Sequence, residues 1–183
     1  MNKYIVKELE GFGVPVYYLY LRQESCKRLI NVDSPIIGDY NKYFLSMPPI
    51  VFRMKFIKQD RLNKNVFNFQ GSYISGLFEL NKKFYNLPFH NCFQSGPICL
   101  GKEFNLIFED IEDGGDYLID IFWKSVFYKL GLNQEGSNLY ARSLLGNLEE
   151  WQEKTKKHKN WIPSKYDLIE SFKDDFDMKL DWK

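Results

Sequence analysis

The sequence predicts an α+β domain in which antiparallel strands come first and helices follow. Over 50–57 every second residue is apolar and the positions between them form a largely polar face, which is the period of a half-buried strand. After residue 116, apolar residues recur at spacings of three and four, which is the period of a helix. Because the strand patterns precede the helical ones, we expect helices on one face or one end of an antiparallel sheet.

The first strands are separated by turn-forming residues. Residues 14–21 are dense in Val, Tyr and Leu, and they lead into a charged segment, 22–28, that we interpret as a turn. Turn-forming residues over 34–41 then interrupt the strand pattern. The pair Pro48-Pro49 precedes the alternating strand 50–57.

A third strand is predicted over 66–80, with an interruption at Gly71 or Gly76 because glycine weakens a strand interior. An antiparallel meander is the economical topology for these strands. The next segment, 84–105, is predicted to be irregular. Such a long non-repetitive segment inside a compact domain is uncommon and often functional.

Helices are predicted after the strands. Asp116 follows two glycines at a position suited to an N-cap, and Gly131 is the expected C-cap of this first helix. A second helix is predicted from about residue 137. A third is predicted from Pro163-Ser164, because Asp167 completes a capping-box pattern there. The apolar positions of the first helix are Ile119, Phe122, Trp123, Val126, Phe127 and Leu130.

Composition excludes several classes of protein. The 183 residues carry 25 Lys and Arg against 24 Asp and Glu, so no global field draws the chain to nucleic acid or anionic lipid. Apolar stretches are far shorter than the roughly 20 residues that span a bilayer, and the charged N-terminus does not fit a signal peptide. We therefore expect a cytoplasmic protein whose three cysteines are free thiols.

The motifs of cofactor and metal chemistry are missing. Two histidines are too few for a multi-histidine metal site, and Cys92 and Cys99 do not have the spacing of a zinc knuckle. No glycine-rich phosphate loop or nucleophile elbow occurs. We expect neither a cofactor nor a metal. The basic cluster 154–159, flanked by Trp151 and Trp161, could bind single-stranded nucleic acid, but a solvated helix end is the favoured interpretation.

The segment 87–101 is the strongest candidate for chemistry. Cys99 follows a Ser-Gly-Pro turn. It lies between two apolar residues, at the edge of an apolar patch. A cysteine in that setting is more often structural, since cysteine is among the most buried residue types. Asn91, upstream of Cys99 with Gly96 between them, favours a working thiol. Transthiolation needs an accessible thiol and a donor amide near the oxyanion or fixing the adjacent loop.

This segment resembles the active-site stretch of ubiquitin-conjugating (E2) enzymes. In that family an HPN motif is followed by a short loop with a glycine, an apolar residue, the catalytic cysteine and usually a leucine. Phe89 and His90 stand where the family has His and Pro. The matching residues, with no gap between the first and the cysteine, are Asn91, Gly96, Ile98, Cys99 and Leu100.

The chain is more similar to bacterial E2-like proteins of the PRTRC system protein B type. Their pattern resembles a Pro-Pro-apolar strand, a Pro-apolar-x-Asn segment, a Gly-x-Val-Cys-x-Gly segment and a helix with a Trp and an aromatic-x-Ser-x-Phe element. Residues 47–52 and 122–127 fit the first and last of these places, and the resemblance covers about 47–130.

The resemblance implies an E2-like fold: an antiparallel β-meander, an extended active-site flap over 84–105 and packing helices. The E2-like domain would span 1–132, and 133–183 would be a helical extension packed on the same domain. Cys99 would be the catalytic cysteine, and Asn91 would stabilise the oxyanion or the flap.

The implied reaction is thioester transfer. Cys99 would receive the C-terminal carboxyl of a ubiquitin-like protein from an E1-like enzyme and pass it to an amine, with no cofactor on this chain. The implied partners are therefore an E1-like enzyme and a ubiquitin-like protein, with a JAB-type peptidase from the same operon as a further candidate. Membrane or nucleic acid is not expected.

A competing interpretation remains open. In it the chain is a non-catalytic E2-like or RWD-like domain, or another α+β protein-interaction module, and Cys99 is structural. Solvent accessibility of the thiol distinguishes the two interpretations.

Overall fold

The computed structural model describes residues 2–9, 13–33, 39–61, 64–89, 91–92, 96–127, 148–168, 170–171, 180 and 182. Over these residues the chain forms two sheets and two helices, which confirms the α+β class. The strands are β1 (Lys3–Leu9), β2 (Val16–Gln23), β3 (Cys26–Asp33), β4 (Tyr40–Met47), β5 (Ile50–Arg61), β6 (Lys64–Leu80), β7 (Lys83–Asn86), β8 (Pro97–Phe108) and β9 (Val126–Phe127), and the helices are α1 (Ile111–Lys124) and α2 (Leu148–Lys157).

The main sheet has the strand order β1-β2-β5-β6-β7, and β8 also pairs with β6. All of its pairings are antiparallel. The expected simple meander is wrong, because β3 and β4 leave this sheet and form a second one with β9, which runs parallel to β3. The predicted strands 14–21, 50–57 and 66–80 correspond to β2, β5 and β6.

The predicted charged turn at 22–28 is present but shorter than expected, since β2 continues to Gln23 and β3 begins at Cys26, which leaves Glu24 and Ser25 between the two strands. The charged side chains in this segment have partners that strands can offer. Arg22 donates to the Glu79 carboxylate at 2.6 Å, and the Arg28 guanidinium lies 4.3 Å from the centre of the Trp123 ring. Charged residues can therefore lie in strands here, and the charged composition of the segment did not predict its secondary structure.

The core lies between the inner face of the main sheet, α1 and the second sheet. The alternation in β5 determines which side chains enter it: Ile50, Phe52, Met54 and Phe56 are at most 1% exposed. Phe52 meets Phe122 of α1 with ring centroids 5.7 Å apart. The period-two pattern thus predicted the buried face of this strand correctly.

Helix α1 begins and ends earlier than predicted. Asp116 is not the N-cap. The helix begins at Ile111, and the Asp110 side chain caps it by accepting from the backbone N–H groups of the next turn at 2.7 and 3.1 Å. It ends at Lys124 rather than before Gly131, because the residues that follow form β9.

Two glycines lie inside α1, where the sequence suggested a break. A Cβ on Gly115 would lie 2.3 Å from Leu19 Cδ2, and one on Gly114 would lie 2.8 Å from Phe108 Cδ2. These residues therefore allow the helix to lie close against the sheet. That gain in packing accounts for two poor helix formers in consecutive positions.

Helix α2 packs on β4. Trp151 is fully buried and donates from Nε1 to the Ser46 carbonyl at 3.0 Å, while the Thr155 hydroxyl oxygen accepts from the Ser46 backbone N–H, also at 3.0 Å. The predicted second helix began near residue 137; positions 137–147 lie outside the described residues, and the remainder is helical.

The third predicted helix is wrong at its start. The capping-box bond does form, since the Asp167 carboxylate accepts from the Ser164 N–H at 2.8 Å. It closes a turn at 165–167. Soon afterwards Glu170 forms an isolated antiparallel bridge with Tyr85 of β7. A local hydrogen-bond motif was therefore present without the helix that it often begins.

Neither helix in the described part of the chain is long and apolar enough to cross a membrane.

Candidate active site around Cys99

The edge of β6 is shared by two strands that follow one another along it. Strand β7 pairs with positions 77–80 of β6, and β8 pairs with positions 67–75. Most of the segment 84–105, which was predicted to be irregular, is therefore β-structure. We call the segment between the two strands, 87–96, the flap loop; residues 87–89, 91–92 and 96 of it are described, and Cys92 forms an isolated antiparallel bridge with Ile98.

The flap loop joins two strands whose pairing positions on β6 are separated by a single residue. Strand β7 ends opposite Leu77 and β8 begins opposite Ser75, so only Gly76 lies between them. The Gly76 N–H donates to the Gly96 carbonyl at 2.8 Å. A Cβ on Gly76 would lie 2.7 Å from Ile98 Cδ1, so this close approach requires glycine.

The base of the flap loop is fixed in the core. Leu87 and Phe89 are 1% and 2% exposed. The Phe89 ring stacks on Trp151 with centroids 5.9 Å apart, and its centroid lies 5.0 Å from that of Phe127. The first residues of the loop are thus held by α2 and β9, so the segment that leads to Cys99 starts from a defined position.

A β-bulge follows Cys99 directly. Tyr73 pairs with Cys99, whereas Gly71 pairs with Phe104, so residues 100–103 face a single residue of β6. Gly71 and Gly101 have φ of 137° and 84°, which side chains rarely adopt. Strand β6 itself is continuous through Gly71, where an interruption was predicted. Bulges often lie next to active sites because they redirect a side chain.

Asn91 and Cys99, the two predicted site residues, are brought together at the edge of β8 that faces away from β6. The Cys99 N–H donates to the Asn91 carbonyl at 2.8 Å. The Asn91 side-chain Nδ2 donates to the Cys99 carbonyl at 3.4 Å, and its Oδ1 accepts from the Cys92 thiol at 3.6 Å. Asn91 therefore holds both backbone groups of Cys99 and joins the flap loop to the strand.

The Cys99 thiol lies on the outer face of the main sheet. Ile98 and Leu100, on either side of it, are 0% and 5% exposed and point into the core, so Cys99 points away from it and is half-buried. The backbone N–H of Gly101, in the bulge, donates to Sγ at 3.4 Å. Cys99 is therefore partly exposed on this face, and its sulfur is held in place by the backbone that follows it.

The other two cysteines have different environments. Cys92 is 1% exposed, and burial raises the pKa of its thiol well above the usual value, which makes it a poor nucleophile. Cys26 is half-buried at the start of β3, in a separate groove that also contains Lys27 and Trp161. No group of three or more metal-ligating side chains occurs among the residues with described positions.

An open groove of about 590 Å³ lies beside Cys99 on the same outer face. Two of its lining residues adjoin Cys99. Tyr73 pairs with Cys99 across the sheet, and Pro97 lies two positions before Cys99 on the same face of β8. The Arg53 guanidinium lies 4.9 Å from the centre of the Tyr18 ring in this groove. The lining residues are Tyr18, Arg53, Lys55, Tyr73, Ile74, Ser75 and Pro97.

Sequence reasoning missed this groove, because its residues come from four strands that are far apart in the chain. One signal was available: in β5 the alternation that marks the core face also places Arg53 and Lys55 on the opposite face. Without the strand order, nothing indicated that these two cations lie near Cys99.

Other candidates contribute little to this site. His90 lies outside the described residues. In the basic cluster 154–159, the flanking Trp151 is fully buried, so its ring offers no surface for a nucleobase, and Lys154 Nζ lies 5.7 Å from the centre of the Trp161 ring.

Comparison of the chain with family models, curated proteins and solved structures gave no match.

Proposed function

We propose that the chain is an E2-like conjugating enzyme that carries a ubiquitin-like protein as a thioester on Cys99. The observation that carries the proposal is the position of this thiol. It is partly exposed on the outer face of the sheet, its backbone is held by Asn91 of the preceding loop, and a bulge directly follows it. The E2-like architecture, with the flap loop as the active-site flap, belongs to the same proposal.

The reaction consists of two acyl transfers. The Cys99 thiolate attacks the carbonyl carbon of a thioester on an E1-like enzyme; the new S–C bond forms, the E1 sulfur leaves as a thiolate and takes up a proton from solvent. An amine nitrogen then attacks the same carbon. The amide bond forms, the bond to Cys99 Sγ breaks, and the amine proton passes to water or to a base of the acceptor. ATP is consumed only by the E1-like partner.

Asn91 has a defined part in this proposal. Its side-chain amide donates to the Cys99 carbonyl at 3.4 Å, a long bond, which fixes the flap loop against the strand before an acyl group arrives. It therefore acts as a positioning residue in the free protein. Donation of the same N–H to the oxyanion would require the bond to Cys99 to break.

The proposal is tested by incubating the chain with its E1-like and ubiquitin-like partners and ATP, followed by gel electrophoresis without reductant. We expect an adduct that thiols cleave. Cys99→Ser should give an ester that resists thiols or no adduct, whereas Cys26→Ser, the control for a half-buried thiol elsewhere, should load normally. A thiol-cleavable adduct on Cys99→Ser would contradict the proposal.

The competing function is a binding module in which Cys99 is structural. The contact between the Gly101 N–H and Sγ favours it, because this bond gives the sulfur a role in closing the bulge. In that case Cys99→Ser would destabilise the fold and no thiol-cleavable adduct would form with the wild-type chain.

A further inference from the structure

We propose that a second groove, between the end of α2 and the start of β3, binds single-stranded nucleic acid through the Trp161 ring and neighbouring lysines. We call it the Trp161 groove; its volume is about 400 Å³. Its described lining comes from β3, from β4 and from the segments that precede β3 and follow α2, and none of it comes from the strand that carries Cys99. The inference therefore goes beyond the proposed function and does not depend on it.

The most buried residue of the Trp161 groove is Ser46, on β4, which is 1% exposed. Its backbone N–H donates to the Thr155 hydroxyl oxygen at 3.0 Å, and the two hydroxyl oxygens also lie 3.0 Å apart. Its carbonyl accepts from Trp151 Nε1 at 3.0 Å. Every polar group of Ser46 thus has a partner inside the protein, so a ligand must bind to the more exposed groups around it.

The more exposed groups of the groove carry positive charge. The Lys27 ammonium donates to the Thr155 carbonyl at 3.1 Å, which leaves two of its N–H donors for a ligand. Lys159 is exposed, and its ammonium has no partner among the described residues. No carboxylate occurs among the described lining residues, and Glu24, which precedes them in the chain, is paired with Arg22. The groove therefore presents cationic donors that complement a phosphate.

One wall of the groove is aromatic and held in place. The Trp161 ring packs partly against the core, and the neighbouring Ile162 is 36% exposed. The Trp161 N–H donates to the His158 carbonyl at 3.1 Å, and the His158 N–H donates to the Lys154 carbonyl at 3.2 Å, so this turn continues directly from α2. A fixed aromatic ring beside lysines can stack a nucleobase while the adjacent phosphates contact the cations.

The positive surface extends beyond the Trp161 groove. Lys156 is exposed and has no side-chain partner among the described residues, and Lys154 Nζ lies 5.7 Å from the centre of the Trp161 ring. A volume of about 400 Å³ suits one small ligand, so a free nucleotide would leave these further cations without a phosphate. A strand of several nucleotides complements them all. Because the net charge of the chain is only +1, binding should depend on this local patch.

The experiment measures binding of the full chain to a fluorescein-labelled oligothymidine of twelve nucleotides by fluorescence anisotropy, over a series of salt concentrations. Lys27→Gln combined with Lys159→Gln should weaken binding at least about tenfold at low salt. The slope of log Kd against log salt should also fall by up to about 1.4, since each phosphate contact on a single strand contributes about 0.7. The matched control, Lys64→Gln with Lys82→Gln, removes the same charge from exposed lysines at the ends of β6 and should leave the affinity nearly unchanged.

Stacking is tested separately from charge. Trp161→Leu keeps an apolar side chain but removes the aromatic face, so it should weaken binding roughly 5- to 150-fold with little change in the salt slope. A strand of twelve abasic sites, which has the phosphates without the bases, should bind the wild-type chain more weakly than oligothymidine does. Circular dichroism checks that each variant is folded. Equal binding of the abasic strand and oligothymidine would overturn the proposal.

The position of the strand is tested on the wild-type chain, so this measurement does not depend on the folding of a variant. Cys26 lines the groove and is half-buried, whereas Cys99 lies on the outer face of the main sheet. Oligothymidine should slow the labelling of Cys26 by N-ethylmaleimide several-fold and leave that of Cys99 unchanged, as measured by mass spectrometry of the digested chain. Protection of neither cysteine, or of Cys99 alone, would contradict the proposal.

Two further results would also overturn it. A hexaglutamate peptide that binds as tightly as oligothymidine would show that the surface fits an acidic protein, and an equal loss of affinity in the control pair of lysines would show attraction without a site. The thioester function is judged apart from this inference. Cys99→Ser should bind oligothymidine as the wild-type chain does, and a failure to bind oligothymidine leaves the thioester function standing.

Discussion

Cys99 points to solvent because both of its neighbours in β8 are buried. Ile98 and Leu100 enter the core, so a shift of the strand by one residue would bury the thiol and expose two large apolar side chains. At about 25 cal/mol per Å² of apolar surface, that exchange would cost several kcal/mol. The core therefore fixes which face carries the thiol, and the edge of β8 that faces away from β6 is left for Asn91.

Asn91 is the residue whose part in the proposed transfer is easiest to separate from its structural role. Its carbonyl bond to the Cys99 N–H is made by the backbone and survives substitution by alanine. The side-chain bond to the Cys99 carbonyl is lost, a change of about 1 kcal/mol. We expect Asn91→Ala to slow transfer from Cys99 to an amine more than it slows thioester loading, measured by single-turnover gel assays of the two steps.

Asn91→Asp serves as the comparison, because a carboxylate cannot donate to the Cys99 carbonyl or to an oxyanion. It should slow amine transfer at least as much as alanine does. If both variants slow loading and transfer by the same factor, Asn91 has only a structural role.

Helix α1 depends on glycine for its distance from the sheet. Replacing Gly115 by alanine improves helix propensity by about 1 kcal/mol. Against this, the new methyl group would lie 2.3 Å from Leu19 Cδ2, in a side chain with no exposed surface. Overpacking of that kind costs typically about 1–3 kcal/mol, so we expect Gly115→Ala to lower the free energy of unfolding by up to about 2 kcal/mol in urea denaturation.

The cause is tested by a double-mutant cycle with Leu19→Val, which removes one carbon atom at the point of contact. The two substitutions should be less destabilising together than the sum of their separate effects. Strict additivity, or an increase in stability from Gly115→Ala alone, would show that the helix does not depend on this close approach.

The elements differ in how far local sequence determines them. The alternation in β5 predicted its buried face, since one face packs on the core and the other does not. The start of α1 was predicted wrongly, because Gly114 and Gly115 are poor helix formers whose value is tertiary packing. Strand β3 was missed because its charged residues Lys27 and Arg28 find partners that appear only in the folded molecule.

For the whole molecule, the two faces of the main sheet have different roles. The inner face forms the core with α1 and the second sheet. Part of the outer face is covered, since Leu180 and Trp182 pack against a small cluster of Tyr20, Val51 and Leu77. The groove beside Cys99 lies on the same outer face, next to the surface that the proposed function uses.

The strand order also determines how much of the site could be predicted from the sequence. Asn91 and Cys99 are close in the chain, and their spacing predicted that they act together. Arg53 and Lys55 reach the same face through the strand order β8-β6-β5, which no local pattern encodes. The two predicted site residues could therefore be found from the sequence, whereas the groove could be found only from the fold.

The most direct test of the central claim is acyl transfer to the folded chain from a small donor, because it needs no other protein. The chain is incubated with a short glycine-terminated peptide thioester of 2-mercaptoethanesulfonate, digested at acidic pH and mapped by mass spectrometry. We expect a hydroxylamine-labile acyl group on Cys99, with Cys92 unmodified. An acyl group confined to Cys26, or one that reaches Cys99 only after the chain is unfolded, would contradict it.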